Sequence, residues 1–297
     1  MIKRLALPIE GKLNMVLDTD TYNEVDDQFA LVYALRSTER LNVQAVYAAP
    51  FHNERSEGPA DGMEKSFEEI HRVLERMQYE TPEGFVLRGS TRYLEDVGTP
   101  CRNDATEDLV KRAMGATEPL YVVAIGAITN IASAILMEPR IIEKIVVVWL
   151  GGNALHWPHT REFNLMQDVL AARVVFDCGV PVVQLPCNNV VTHLLTTMPE
   201  LERYLDGTSD IGTYLTQIVR EFTTDHFCWS KVIWDVAAIA YLINPAFVST
   251  NIVHSPILTD QMTWSVDQAR HFIKTATEVN RDAIFKDLFQ KIARSNA

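Results

Sequence analysis

Met15-Val16-Leu17-Asp18-Thr19-Asp20-Thr21-Tyr22-Asn23-Glu24-Val25-Asp26-Asp27-Gln28-Phe29-Ala30-Leu31-Val32-Tyr33-Ala34-Leu35 runs from a short apolar strand pattern, through a loop with five acids in ten residues, into an apolar helical pattern. The unit repeats downstream. Further strand-like runs at Val43–Ala48, Phe85–Leu87, Tyr121–Ile125, Ile145–Leu150 and Val182–Leu185 alternate with helical patterns at Gln28–Leu35, Met63–Met77, Thr106–Ala113, Ile128–Met137 and Val169–Cys178. Such alternation predicts an α/β fold with a mainly parallel central sheet flanked by helices. The unbroken apolar stretches Leu120–Ile125 and Ile145–Leu150 suit strands covered on both faces.

After Pro186 the pattern predicts successive helices, Met198–Leu205, Ile211–Phe222 and Val232–Leu242. A strand-rich stretch from Phe247 to Val266 and a final helix, Asp282–Ala293, follow. No Gly/Ser-rich or Pro-rich linker and no repeat interrupts this order, so the expectation is one domain, residues 1–297, with a C-terminal helical excursion.

With 297 residues, 47% of them hydrophobic and 22% charged, the chain is long and apolar enough to bury a large core. Its formal net charge of −12 opposes binding to nucleic acid or an anionic membrane, which both need a basic face. A small neutral or cationic ligand, or a metal ion, is the more natural partner. No apolar run reaches the length of a membrane span, and the segment from Met1 to Asn14 carries Lys3, Arg4, Glu10 and Lys12 without a cleavage-like site. The expected location is the cytoplasm. Cys101, Cys178, Cys187 and Cys228 are widely spaced and read as reduced, buried thiols.

Ligand sites of open parallel sheets lie beyond the carboxyl ends of the strands, where the acidic loop falls. Asp26 and Asp27 there can serve as helix caps. Capping leaves unexplained the acids that begin directly at the end of a central strand, which would repel or take up protons without a cation. The oxygen-only set points to a hard cation, Ca²⁺ or Mg²⁺, and the irregular loop fits Ca²⁺ slightly better.

Asp18, Asp20, Asp26 and Asp27, in that order and before a small-residue apolar helix, resemble the DxDxGxDD-like motif of the inosine-uridine type, calcium-dependent nucleoside hydrolases. The loop is two residues longer here, with Thr21-Tyr22-Asn23-Glu24-Val25 in place of a Pro-Gly turn. The resemblance implies a nucleoside-hydrolase or Rossmann-like fold, with Asp20 and Asp27 as calcium ligands and Asp26 as a ribose-hydroxyl contact. It also implies that Asp20 deprotonates the attacking water. Glu24 receives no role.

Tyr121–Ala132 resembles the family's strand, GPLTN turn and helix, which implies the Ile125 carbonyl as a calcium ligand and leaves Thr129 and Asn130 structural. Gly151-Gly152-Asn153 with Glu162-Phe163-Asn164 resembles the GG…EFN segment, which implies Glu162 and Asn164 as ribose ligands and Asn153 as a further substrate-binding candidate. Asp235 lies alone in the apolar run from Val232 to Ala240, where a buried carboxylate needs an ion or a donor. The resemblance makes it the third carboxylate ligand. Asn53, after the second strand, matches an asparagine near the substrate. Trp234 replaces a histidine of many relatives and leans toward purines, because an indole stacks on a base but donates no useful proton at neutral pH.

The function implied is hydrolysis of the ribonucleoside N-glycosidic bond to ribose and free base, in nucleoside salvage, by a dimer or tetramer. Two alternatives accompany it. One is a nucleoside-binding sensor without turnover. The other is a phosphatase of the haloacid dehalogenase type, for which Asp18-Thr19-Asp20-Thr21 begins suitably but Tyr22 stands where Thr or Val belongs, leaving Asp235 no role.

Overall fold

The computed structural model describes residues 2–293; Met1 and residues 294–297 of the expected 1–297 unit lie outside the described residues. Eight strands form one sheet: β1 (Leu13–Thr19), β2 (Leu41–Ala48), β3 (Val86–Arg88), β4 (Leu120–Ala124), β5 (Ile145–Leu150), β6 (Val182–Leu185), β7 (Val248–His254) and β8 (Phe272–Val279). Their order is β3-β2-β1-β4-β5-β6-β8-β7. Every pair is parallel except β8 with β7 at the edge. The expected α/β architecture is therefore the observed one.

Helices cover both faces, which is why the central strands are apolar on both sides. One face carries α1 (Asp27–Leu35), α2 (Pro59–Arg76), α6 (Asp210–Glu221), α7 (Val236–Ile243) and α8 (Arg281–Ala293), whose Phe29, Val73, Leu215, Ile239 and Leu288 share one core. The opposite face carries α3 (Asp104–Gly115), α4 (Thr129–Met137) and α5 (Val169–Asp177), packed around Trp149 and Phe176. The helices after Pro186 thus complete the first face.

Two expectations fail in the C-terminal third. The helix expected over Val232–Leu242 begins only at Val236, because Lys231–Val232 pairs antiparallel with Leu195–Thr196. An apolar run of that length fits either state, and the cross-strand partner decided it. β8 was not anticipated, since the strand-rich stretch was expected to end at Val266. Phe272–Val279 alternates in burial over much of its length, and its place between β6 and β7 rests on partners far away in sequence. The cysteines are all free, but Cys178 is only half-buried and Cys228 is exposed.

Chain order reverses between β1 and β4, so the crevice at this switch point opens beyond their carboxyl ends. Asn130, at the start of α4, holds the crevice together. Its amide nitrogen donates to Asp18 Oδ1 (2.8 Å) and to the Ala48 carbonyl (3.4 Å), while its oxygen accepts from Ser90 N and Oγ (both 2.8 Å). Asn130→Ala would strip a buried carboxylate of its donor, and the expected cost is about 3 kcal/mol, read as a lower urea midpoint with an unchanged m-value.

Candidate active site

Asp18 and Thr19 end β1, and the chain turns at once, with Asn23 N bonded to the Asp20 carbonyl at 2.7 Å. Asp20 is completely buried, and among the described residues no N–H or O–H donor reaches either carboxylate oxygen. Its neighbour across the switch point is Gly126, directly after β4. A Cβ on Gly126 would stand 2.9 Å from Asp20 Cγ, so only glycine leaves room for this carboxylate. The Trp149 indole donates to the Gly126 carbonyl at 3.1 Å and fixes that turn from below.

Asp26 and Asp27 sit where α1 begins, and Asp235 where α7 begins, so two helix N-termini aim their positive ends at one point. Neither Asp26 nor Asp235 makes a side-chain cap bond, so simple capping does not account for them. Asp26, Asp27 and Asp235 each offer an oxygen within 4.8 Å of the others. Asp26 Oδ2 accepts from Trp234 N at 3.0 Å, and Asp27 Oδ1 accepts from Thr19 Oγ1 at 2.6 Å.

Burial and mutual repulsion disturb the whole set. Desolvation, then the charges of Asp27 and Asp26, push Asp20 well above the carboxylate range. Asp235 is driven the same way by burial and then by Asp26, Asp27 and Asp20. Desolvation raises Asp26 to about 7, although the nearby Lys231 opposes it. It raises Asp27 to about 6 against the hydrogen bond from Thr19. Three clustered buried carboxyl groups, with Asp20 beside them lacking a donor at either oxygen, form a ligand set that fits a hard divalent cation.

A cavity of about 300 Å³ opens above this cluster. Asp26, Asp27, Ile125, Glu162, Asn164, Trp234 and Asp235 line it, so seven of the ten residues singled out from the sequence meet around one space. Asp20 is not among the residues that line it. Asn53 and Asn153 each stand one residue behind the wall. Asn53 Nδ2 donates to Asn23 Oδ1 at 2.7 Å, and Asn153 Oδ1 accepts from Asn188 Nδ2 at 2.8 Å. Asn164 donates to the carbonyls of Ile125 and Leu150, both at 3.0 Å. Glu162 caps the helix Phe163–Gln167, accepting from Asn164 N at 2.9 Å and Leu165 N at 3.1 Å, and also from Gly152 N at 2.7 Å. Gly152 needs its left-handed φ of +69°, and a Cβ there would meet Thr160 Oγ1 at 2.6 Å.

The model of the inosine-uridine preferring nucleoside hydrolases matches residues 15–286. The chain belongs to this family. It is therefore a hydrolase of ribonucleoside N-glycosyl bonds. The pyrimidine-specific ribonucleoside hydrolase RihA of Salmonella paratyphi B is 27% identical over 277 residues, 83% of this chain and 82% of that protein. The inosine-uridine preferring nucleoside hydrolase of Crithidia fasciculata is 30% identical over 153 residues, 48% of each chain. In fold, the solved purine-preferring ribonucleoside hydrolase of Gardnerella vaginalis superposes with a TM-score of 0.77 at 20% identity, covering 94% of this chain and 98% of that one. The phosphatase alternative, which gave Asp235 no role, does not account for a site in which Asp235 joins the loop acids.

The family's crevice here has walls that sequence reasoning passed over: Asn23, Leu150, Arg161, Phe163, Cys187 and Asn188. Cys187 and Asn188 follow β6 at its carboxyl end, so the rule that singled out the first loop applies to them as well. Arg161 and Asn23 carried no comparable signal. No described helix is long and apolar enough to cross a membrane.

The raised carboxyl groups fix the sign of a pH effect. Asp26 and Asp27 hold protons in the folded protein that the unfolded chain releases from about pH 4 upward, so the cation-free fold loses stability as pH rises through about 6 to 7. In chelator the thermal midpoint is expected to fall between about pH 5 and about pH 8, and an added divalent cation is expected to restore it at the upper end. Calorimetry checks this, and a midpoint that climbs across the interval in chelator contradicts it.

Proposed function

We propose that the protein hydrolyses purine ribonucleosides in preference to pyrimidine ones, using a Ca²⁺ site and Asp20 as the base that deprotonates water. The observation that carries this reading is Asp20, buried at the switch point with both oxygens free of donors and coupled by charge to Asp26, Asp27 and Asp235, which themselves cluster. Asp20, Asp27, Asp235 and the Ile125 carbonyl would hold the ion. Bound there, Ca²⁺ supplies a fixed positive charge that offsets the carboxylates and orients water and the ribose diol.

The remaining chemistry belongs to side chains. Asp20 takes the proton of the attacking water as the C1′–N bond lengthens, and its donor-free oxygens keep it a competent acceptor. The acidic walls favour the positive charge that develops on the ribosyl ring. Asp26, Glu162 and Asn164 grip ribose hydroxyls from two sides of the cavity, with Asn53 and Asn153 acting through Asn23 and Asn188. Trp234, half-buried in the wall, offers its indole face to the base, and a purine presents the larger surface for stacking. No histidine lines the cavity among the described residues, so in this reading water protonates the departing base.

The test is ribose release from adenosine, inosine, guanosine, uridine and cytidine, with and without chelator. Release that chelation abolishes, calcium restores and Asp20→Ala lowers about a thousandfold is the expected result. Undiminished release in Asp20→Ala would remove its assigned role. Trp234→Ala is expected to raise KM about tenfold for purines and less for pyrimidines; equal effects on both would end the stacking argument.

A further inference from the structure

We infer that Trp264, 111 residues along the chain from Asn153, is a positioning residue for the sugar-binding wall: it fixes Asn153, and through Asn153 it sets how the Asn188 amide is turned at the cavity. The inference rests on the reading of that wall as the ribose grip and adds to it a residue outside the cavity.

Ile257–Leu258 pairs antiparallel with Trp264–Ser265 to form a hairpin. The hairpin is tied to α5, where Arg173 donates to the Leu258 carbonyl at 3.2 Å and pairs with Asp260. Its turn also holds the loop that follows β5, because Thr160 N donates to the Met262 carbonyl at 2.7 Å. Trp264 stands edge-on to Phe176, with ring centroids 5.2 Å apart, and a Cβ on Gly152 would lie 3.0 Å from its ring. From that seat the indole Nε1 donates to the Asn153 carbonyl at 2.9 Å.

Asn153 is completely buried and all its polar groups are engaged. Its backbone N donates to Thr160 Oγ1 at 3.0 Å and its Nδ2 to the His159 carbonyl at 3.1 Å. A carbonyl only accepts, so the Asn153 side-chain oxygen faces the other way, toward Asn188. There it takes the Asn188 backbone N–H at 3.2 Å and Nδ2 at 2.8 Å. The Asn188 amide is thereby turned with its nitrogen to Asn153, and its own oxygen accepts from no protein donor among the described residues. Asn188 lines the cavity beside Cys187, in one wall with Glu162 and Asn164. Its unused oxygen is the acceptor this wall keeps for a sugar hydroxyl. Any ring would fill the space against Phe176 and Gly152; the N–H adds the contact that reaches toward Asn188.

Trp264→Phe keeps a ring in place and deletes the N–H. With a ribonucleoside that the enzyme cleaves, in saturating calcium, KM should rise about fivefold while kcat stays within about twofold, since the lost contact serves ground state and transition state alike. Asn188→Ala should raise KM likewise, and in that background Trp264→Phe should add less than about twofold, because the two residues act in one chain. KM does not depend on the active fraction, so a partly unfolded preparation leaves the comparison intact. A KM that Trp264→Phe leaves unchanged, whatever kcat does, or an equal rise in both backgrounds, overturns the inference and makes Trp264 a packing residue. Glu162→Gln reports on the ribose grip separately: an unaltered KM there sinks that reading, while the comparison of Trp264 with Asn188 still decides this one.

Discussion

Three carboxyl groups taken out of water at one point, Asp26, Asp27 and Asp235, with the buried Asp20 coupled to them, are the constraint on which this structure turns. Isolated, each would cost several kcal/mol or give up its charge, and together they repel. The fold answers with what it has: two helix N-termini, the Thr19 hydroxyl on Asp27, the Trp234 amide on Asp26 and the Lys231 ammonium nearby. These reach Asp26 and Asp27. They leave Asp20 with no donor among the described residues, and that deficit gives the site its appetite for a cation.

The sheet makes the deficit tolerable by holding the acids rigidly. β1 and β4 lie side by side, Ile125 N bonds to the Asp18 carbonyl at 2.9 Å, and Gly126 passes close against Asp20 without a side chain. Asn130 ties Asp18 to the end of β2 and to Ser90, so three successive loops cannot drift apart independently. Above this base the walls are less uniform. Glu162 and Asn164 are fixed by backbone groups, whereas Glu24 depends on one buried lysine.

Much of this was legible before any coordinates. Ile145–Leu150 and Val182–Leu185 were bounded to the residue: the first is the unbroken apolar run of a strand buried on both faces, the second a short β-branched run closed on each side by proline. The acidic loop and Asp235 stood out because carboxylates in apolar context need an explanation. The failures share a cause. Val232 looked helical, β8 went unseen and Cys228 looked buried because each depends on a partner, or the lack of one, far along the chain.

By itself, the sequence determined the parallel α/β sheet, through the periodicity of its apolar residues, and the presence of a cation-seeking acidic loop, through its chemistry. Only the tertiary structure decided which acids share a point, that Asn53 and Asn153 stand behind the cavity wall, and that Asn188 and Glu24 stand in it. The physical reason is distance. Periodicity and composition act within a few residues, whereas Lys231 meets Glu24, and Asn188 meets Asn153, only after strand order has brought remote segments together.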